Sequence, residues 1–432
     1  MAPSLFARLA LPAVMVVEGR LSARRLERLR DGKLARLYRH AYATVPFYRN
    51  LYSAAGLGPD DLRTVADLTR LPTISKRDLQ NAASDDLLSR DVRPESCVKV
   101  STSGSTGLPL RVYFTPRDFS RLNWNWVRAA FARGARPWHS RLEVTGPHNI
   151  AATRRWYERL GLWRVDSLSL FKEPREWVEA WRSLRPDILW GYSGSLKLLA
   201  RHALENGIDD IRPRRIFGVS DLVDAECREL VVAAFGQPLI DLYGAAEAGC
   251  ISWECGRCGA YHVNADTVIL EFLRDGRPVP PGEVGEVFVT NLHSAAMPII
   301  RYGLGDLGAA SRDLPSCGRS LPLMSIIEGR ADDALLMPSG KRLSPLFFFG
   351  LMKPVPGLAA WRVVQDKPAG LAYHIVPGPG FGPGSLDLIK TRTAEFIPEG
   401  LEVRFVVEAE LPPDPSGKVR SVISLLGAGG RP

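Results

Sequence analysis

A chain of 432 residues that is 45% hydrophobic and 24% charged has ordinary globular composition, and it exceeds the length one compact core usually serves, so two domains are expected. A formal net charge of +9 suits any polyanion, but the Lys and Arg residues are spread along the chain without an aromatic-interleaved basic tract, which argues against nucleic acid. Six cysteines, four of them between Cys250 and Cys317, do not form the pattern of a secreted disulfide framework, so a cytoplasmic setting is expected.

The apolar stretch at residues 5–17 is interrupted by Arg8 and is too short to span a bilayer, so no transmembrane segment is expected. It lacks the basic lead and cleavage site of a signal peptide, and it reads as an amphipathic or core-packing helix. Residues 20–51 carry apolar positions at helical spacing up to Val45-Pro46-Phe47-Tyr48, where the proline should break the helix. Between residues 98 and 242, short apolar runs at 97–100, 215–219 and 239–242 alternate with helical stretches at 119–133 and 224–235. That alternation implies an α/β body with a largely parallel sheet.

After Tyr243 the texture changes. A strand-like 267–273, a turn at Pro280-Pro281-Gly282-Glu283 and a strand at 284–292 read as an antiparallel region appended to the body. Beyond Arg330, strand-like runs at 360–364, 371–376 and 403–407 surround a helical 386–396, the pattern of a small α+β domain.

Two stretches carry chemistry on their own residues. Ser101-Thr102-Ser103-Gly104-Ser105-Thr106-Gly107-Leu108-Pro109 follows a strand and combines glycines, which let backbone N–H groups approach an anion, with hydroxyl donors. It lacks the Gly-Lys-Ser/Thr ending of a Walker loop, and taken alone it could equally be a solvated turn. Cys255-Gly256-Arg257-Cys258, with His262 four positions on and Cys317-Gly318-Arg319 from a separate loop, has donors at a spacing that suits tetrahedral zinc. Reduced thiols without metal are the alternative, and Cys250 could replace one ligand.

The first loop resembles the Ser-Gly-Thr-Thr-Gly-x-Pro signature of the adenylate-forming superfamily, and four more motifs follow in that superfamily's order. Tyr243-Gly244-Ala245-Ala246-Glu247 resembles Tyr-Gly-x-Ser/Thr-Glu, which borders the adenine and brings the acid near the ATP magnesium. Arg301-Tyr302-Gly303-Leu304-Gly305-Asp306 resembles Arg-Tyr-x-x-x-Asp, whose carboxylate accepts from the ribose. Gly329-Arg330-Ala331-Asp332-Asp333 resembles the hinge between two domains, with Asp332 at the pivot. Pro415-Ser416-Gly417-Lys418-Val419-Arg420 resembles the segment whose lysine reaches the adenylation site. With Val45-Pro46-Phe47-Tyr48 and Leu71-Pro72-Thr73-Ile74-Ser75-Lys76, the resemblance is to the phenylacetate-CoA ligase family, including its capsule-biosynthesis relatives, over roughly residues 34–423.

The resemblance implies an α/β fold. A large adenylation domain of mixed sheets and helices (1–331) would precede a small mobile α+β domain (332–432). The implied activity is ATP-dependent activation of a small carboxylic acid, aryl or arylacetic, followed by transfer to CoA. ATP, Mg2+, CoA and a structural Zn2+ are the implied cofactors, and a homodimer is compatible. Lys418 and Glu247 are the implied catalytic residues. The implied nucleotide set is Ser103, Gly104, Ser105, Thr106, Gly107, Ser220, Asp221, Asp241, Tyr243, Gly244, Ala245, Asp306 and Arg330, and the metal set is Cys255, Cys258, His262 and Cys317. The chain departs from the pattern at Ala246, which lacks a hydroxyl and so one hydrogen bond of about 1 kcal/mol. It departs again at Leu110, where lysine is common, and at Ser220-Asp221 in place of Ala-Glu. An amine or hydroxyl acceptor and an inactive nucleotide-binding scaffold are the alternative readings.

Overall fold

The computed structural model describes residues 21–101, 110–146, 150, 156–220, 223, 225–330, 335–338, 342–343, 348, 351–352, 355–397, 401–411 and 421–426. The chain opens with α1 (Ala23–Thr44) and α2 (Pro46–Ala54). Pro46 breaks the first helix as its sequence predicts, and its fixed φ then starts the second at the N1 position. Tyr38, Tyr48 and Tyr52 form a buried aromatic cluster, with Tyr38 and Tyr52 ring centroids 5.0 Å apart.

The next strands are β1 (Val98–Ser101), β2 (Arg111–Phe114), β3 (Arg141–Thr145), β4 (Val165–Ser169), β5 (Ile188–Tyr192), β6 (Arg215–Val219) and β7 (Leu239–Ala245). Between and after them lie α3 (Pro116–Ala132), α4 (Pro174–Leu184), α5 (Ser193–Glu205) and α6 (Ala225–Phe235). Strands β3 to β7 are all parallel neighbours, in the order β4-β3-β5-β6-β7. Alternate residues feed opposite faces: Leu189, Ile216 and Leu239 pack under α4, α5 and α6, whereas Ile188, Trp190, Phe217 and Ile240 join the core beneath α1 and α3.

The sequence correctly predicts a strand near residue 98 but not its pairing. β1 joins β2 in a separate antiparallel ribbon, with Ser101 opposite Arg111, and takes no place in the parallel sheet. The region after Tyr243 also differs from an appendage, because β8 (Gly249–Glu254) pairs antiparallel with β7 and carries the same sheet onward. β9 (Tyr261–Val263), β10 (Val268–Arg274), β11 (Arg277–Pro278), β12 (Gly285–Asn291), β13 (Tyr302–Ala310) and β14 (Leu323–Arg330) complete a 12-stranded sheet in the order β11-β10-β12-β13-β14-β9-β8-β7-β6-β5-β3-β4.

The short strands β15 (Leu335–Leu336) and β16 (Arg342–Leu343) form a ribbon. β17 (Leu358–Lys367), β18 (Gly370–Pro377), β19 (Glu402–Val407) and β20 (Val422–Ser424) make a four-stranded sheet, and α7 (Pro383–Phe396) lies between β18 and β19 in the chain. Its buried cluster, which includes Leu335, Phe348, Val363, Tyr373, Ile389 and Val422, shares no residue with the clusters of the large sheet. Among the described residues no helix is long and apolar enough to cross a membrane.

Candidate active site

In an open parallel sheet, ligands bind beyond the carboxyl ends of the strands. β6 ends at Val219, and Ser220 follows in the left-handed region (φ 72°), turning the chain sharply where the sequence expects the adenine. On the neighbouring strand β7, Gly244 has no room for a side chain. A Cβ there would lie 2.4 Å from the Gly249 carbonyl oxygen and 2.6 Å from Trp126 Cη2. Ala245 pairs with Gly249, and Glu247 is buried in the turn that follows, where its carbonyl accepts from Asn291 Nδ2 at 2.9 Å.

Asp306 comes from β13, four strands away in the sheet order, yet the Tyr243 hydroxyl donates to Asp306 Oδ2 at 2.7 Å. Strands spaced about 4.8 Å apart in a flat sheet could not meet this way, so the sheet curls to bring the two motifs together. Asp306 lies opposite Arg330 of β14, and the register slips between Asp306 and Leu307, an irregularity that re-aims the strand beside the carboxylate. The motif's first residue has a structural task. Arg301 is buried, its Nη2 lies 2.9 Å from Glu271 Oε1, and its Nη1 donates to the Leu71 carbonyl. The Leu71-to-Lys76 segment is tied in further by Ile74 N–H donating to the Arg301 carbonyl at 2.9 Å and Gly303 N–H donating to the Ile74 carbonyl at 2.8 Å. Tyr48 donates to the Pro298 carbonyl at 2.8 Å, so both amino-terminal family motifs brace the approach to β13.

Asp241 sits two residues before Tyr243 on β7. Its Oδ2 accepts from the Tyr261 hydroxyl at 2.7 Å, and its N–H donates to Glu254, which pairs with Arg228 at 3.1 Å. Burial raises its pKa to about 6, against the opposing hydrogen bond from Tyr261. The same environment, with Asp241 beside it, pushes the Tyr261 hydroxyl up. Neither Tyr261 nor Arg228 carries a local sequence signal.

Cys255, Cys258, His262 and Cys317 converge, with all four donor atoms within 4.8 Å of one another. His262 directs Nε2 toward Cys317 Sγ at 3.1 Å, while its Nδ1 faces the Leu321 carbonyl at 3.2 Å. A carbonyl on the second ring nitrogen is the usual support of a metal-bound imidazole, and three thiols with one imidazole match a closed zinc site. Cys250 is not in the group; it is buried in β8, with its thiol toward the Ser252 carbonyl at 3.6 Å.

Ser103, Gly104, Ser105, Thr106, Gly107, Asp221, Asp332 and Lys418 lie outside the described residues, as do residues 5–17. Sequence reasoning also missed a buried polar group behind the site. Arg128 grips Asp266 (2.6 Å) and Asn264 (2.6 Å), and Lys33 and Arg121 flank His293. Burial among these cations drives the His293 pKa well below its usual value. The members come from positions far apart in the sequence, so no local pattern announces them.

No family model matches the chain. In fold it is similar to crystal structures of 2-hydroxyisobutyryl-CoA ligase. With that enzyme in the postadenylation state in complex with 2-HIB-AMP, the TM-score is 0.75 at 19% identity, covering 94% of this chain and 91% of that one. The fold is therefore that of the adenylate-forming CoA ligases. The phenylacetate-coenzyme A ligase of Escherichia coli (strain K12) is 30% identical over 329 residues, 72% of either chain. That of Thermus thermophilus is 29% identical over 334 residues, 73% of either chain, and Protein CapK of Staphylococcus aureus is 22% identical over 302 residues, 66% of this chain and 64% of that protein. The chain belongs to the phenylacetate-CoA ligase family.

Proposed function

We propose that this chain is an AMP-forming acid–CoA ligase that activates a carboxylic acid, aryl or arylacetic, with ATP and passes the acyl group to CoA. The observation that carries the reading is the Tyr243–Asp306 hydrogen bond. It joins two motifs 63 residues apart, beyond the carboxyl ends of parallel strands and with Arg330 opposite Asp306. The names of the Escherichia coli and Thermus thermophilus relatives support the reaction and the arylacetic class.

In the first step a carboxylate oxygen attacks the α-phosphorus of ATP, the bond to pyrophosphate breaks, and acyl-AMP forms. Negative charge builds on the phosphoryl oxygens and on the leaving group. Donors from residues 102–107 and the Lys418 ammonium stabilise it in a site kept poor in water. Glu247, a hard oxygen donor, suits magnesium, which supplies further neutralisation of the phosphates when bound. Asp306 orients the ribose. In the second step the CoA sulfur attacks the acyl carbon and AMP leaves, after the 332–432 domain turns about Asp332 and withdraws Lys418. The separate apolar cluster of residues from Leu335 onward supports that division. The Cys255, Cys258, His262 and Cys317 group holds zinc as a structural ion, since four protein ligands leave no open position. The cytoplasm, which keeps such thiols reduced, is the compartment that fits.

Pyrophosphate release with a panel of aryl and arylacetic acids, with and without CoA, tests the reaction. AMP and thioester should accumulate together with CoA present. Pyrophosphate release without thioester would point to another acceptor, and no release with any acid would defeat the proposal. Lys418→Ala should abolish adenylation yet leave thioester formation from supplied acyl-AMP largely intact. Equal loss of both half-reactions in a folded variant contradicts the role of Lys418.

A further inference from the structure

Beside the Cys/His group lies a cleft of about 360 Å3 lined by Arg133, Arg257 and Arg319 together with Cys255, Gly256 and Cys317. The three guanidinium groups come from different parts of the chain: just past the end of α3, the β8–β9 connection and the β13–β14 connection. Arg319 is fixed in place. Its guanidinium carbon lies 5.1 Å from the Trp253 ring centre, Nη2 donates to the Ala132 carbonyl at 3.4 Å, and Nη1 faces Cys317 Sγ at 3.8 Å. Arg133 lies close over Gly256, and its Nε is buried without a hydrogen-bond partner. Arg257 is exposed at the rim.

Among the described residues none of the three arginines forms an ion pair with a carboxylate. Glu254, whose charge acts on Arg133, is engaged by Arg228. The thiols do not balance the arginines either. Three thiolates around a divalent ion carry one net negative charge against three guanidiniums, and neutral thiols carry none, so positive charge is in surplus in either state. Converging like charges repel unless an anion joins them, and planar guanidinium forks match the oxygens of a phosphate.

The cleft is separate from the Tyr243-to-Glu247 motif. Ala245 pairs with Gly249 at one end of β8, whereas Cys255 follows the other end, six residues on. At about 3.3 Å per residue that is on the order of 20 Å. We propose that the cleft formed by Arg133, Arg257 and Arg319 is a second anion site that binds a phosphate dianion, either free phosphate or a phosphomonoester group of a larger ligand.

Calorimetric titration of the full-length, zinc-loaded protein with inorganic phosphate at low ionic strength tests this. The wild type should bind phosphate at this site. Arg257→Ala removes a side chain that makes no bond among the described residues, so the fold should be untouched while affinity falls by at least about tenfold, the loss of one charged hydrogen bond. Arg319→Gln should do the same. Titrations with CoA and dephospho-CoA separate the sources. If the 3′-phosphate of CoA is the occupant, the wild type prefers CoA over dephospho-CoA and Arg257→Ala erases the preference. If free phosphate is the occupant, the two nucleotides bind alike in both proteins. Undetectable phosphate binding, or equal binding by the wild type and both variants, overturns the proposal. Adenylation without CoA should be unchanged in Arg257→Ala, so failure of this site and failure of the ligase reading are distinguishable.

Discussion

An ionised carboxylate has about four acceptor positions, so the hydrogen bond that Asp306 accepts from Tyr243 leaves capacity for a ribose. Asp306→Ala removes the Tyr243 contact and the proposed ribose contact, and Tyr243→Phe removes only the first. At roughly 1.5–3 kcal/mol for each hydrogen bond to a charged group, Asp306→Ala should lower ATP affinity by about ten- to a hundredfold or more. Tyr243→Phe should cost much less, and the acid substrate should hardly notice either change. Calorimetry with ATP and 2′-deoxy-ATP on the wild type and Asp306→Ala decides whether the carboxylate touches the 2′-hydroxyl. Additive losses would mean that it does not. Asp241 behaves differently, because burial raises its pKa from 3.8 to about 6. A carboxyl bound more tightly to its proton in the folded state favours folding fully below about pH 4, and that contribution is lost as pH rises through about 6. Asp241→Asn should therefore flatten the fall in melting temperature between pH 4 and pH 7, and an unchanged pH profile would show that the group titrates normally.

At the scale of elements, the end of β7 admits no side chain at position 244. Gly244→Ala must move either the Gly249 backbone or the Trp126 ring, and overpacking of this kind costs about 1–3 kcal/mol. We expect a lower denaturation midpoint and weaker ATP binding together; loss of neither would mean that the turn is looser than its contacts imply. Much at this scale was legible beforehand. The apolar runs at 215–219 and 239–242 and the helical stretch at 224–235 foretold β6, β7 and the crossover helix α6 between them, because strands buried on both faces must be apolar throughout. The break at Pro46 and the strands β10, β12, β17, β18 and β19 were legible for similarly local reasons. The pairing of β1 with β2, and the union of both regions into one sheet, were not, since register and neighbour choice depend on residues far away in sequence. Within the site, Tyr243 and Asp306 were readable as motif residues, but their mutual hydrogen bond was not. Tyr261, Arg228 and the Arg128–Asp266 pair left no trace, because a buried polar pair assembled from distant segments has no period.

For the whole molecule, the Cys/His group ties the β8–β9 connection to the one between β13 and β14. Protein purified without chelator should contain about one zinc per chain, and Cys255→Ser should lower both the stoichiometry and the melting temperature, since structural zinc contributes to folding directly. Absence of zinc would leave the four residues as a reduced thiol cluster. The reversal at β7, where parallel pairing on one side meets antiparallel pairing on the other, also limits how the gene can be cut. A fragment ending at Ala245 would strip β8 from β7 and expose a full row of unsatisfied backbone groups along a strand buried on both faces, an open invitation to self-association. Fusion, splitting or swapping of parts is thus better placed past Arg330, where the large sheet ends, than at the change of texture after Tyr243 that the sequence makes so tempting.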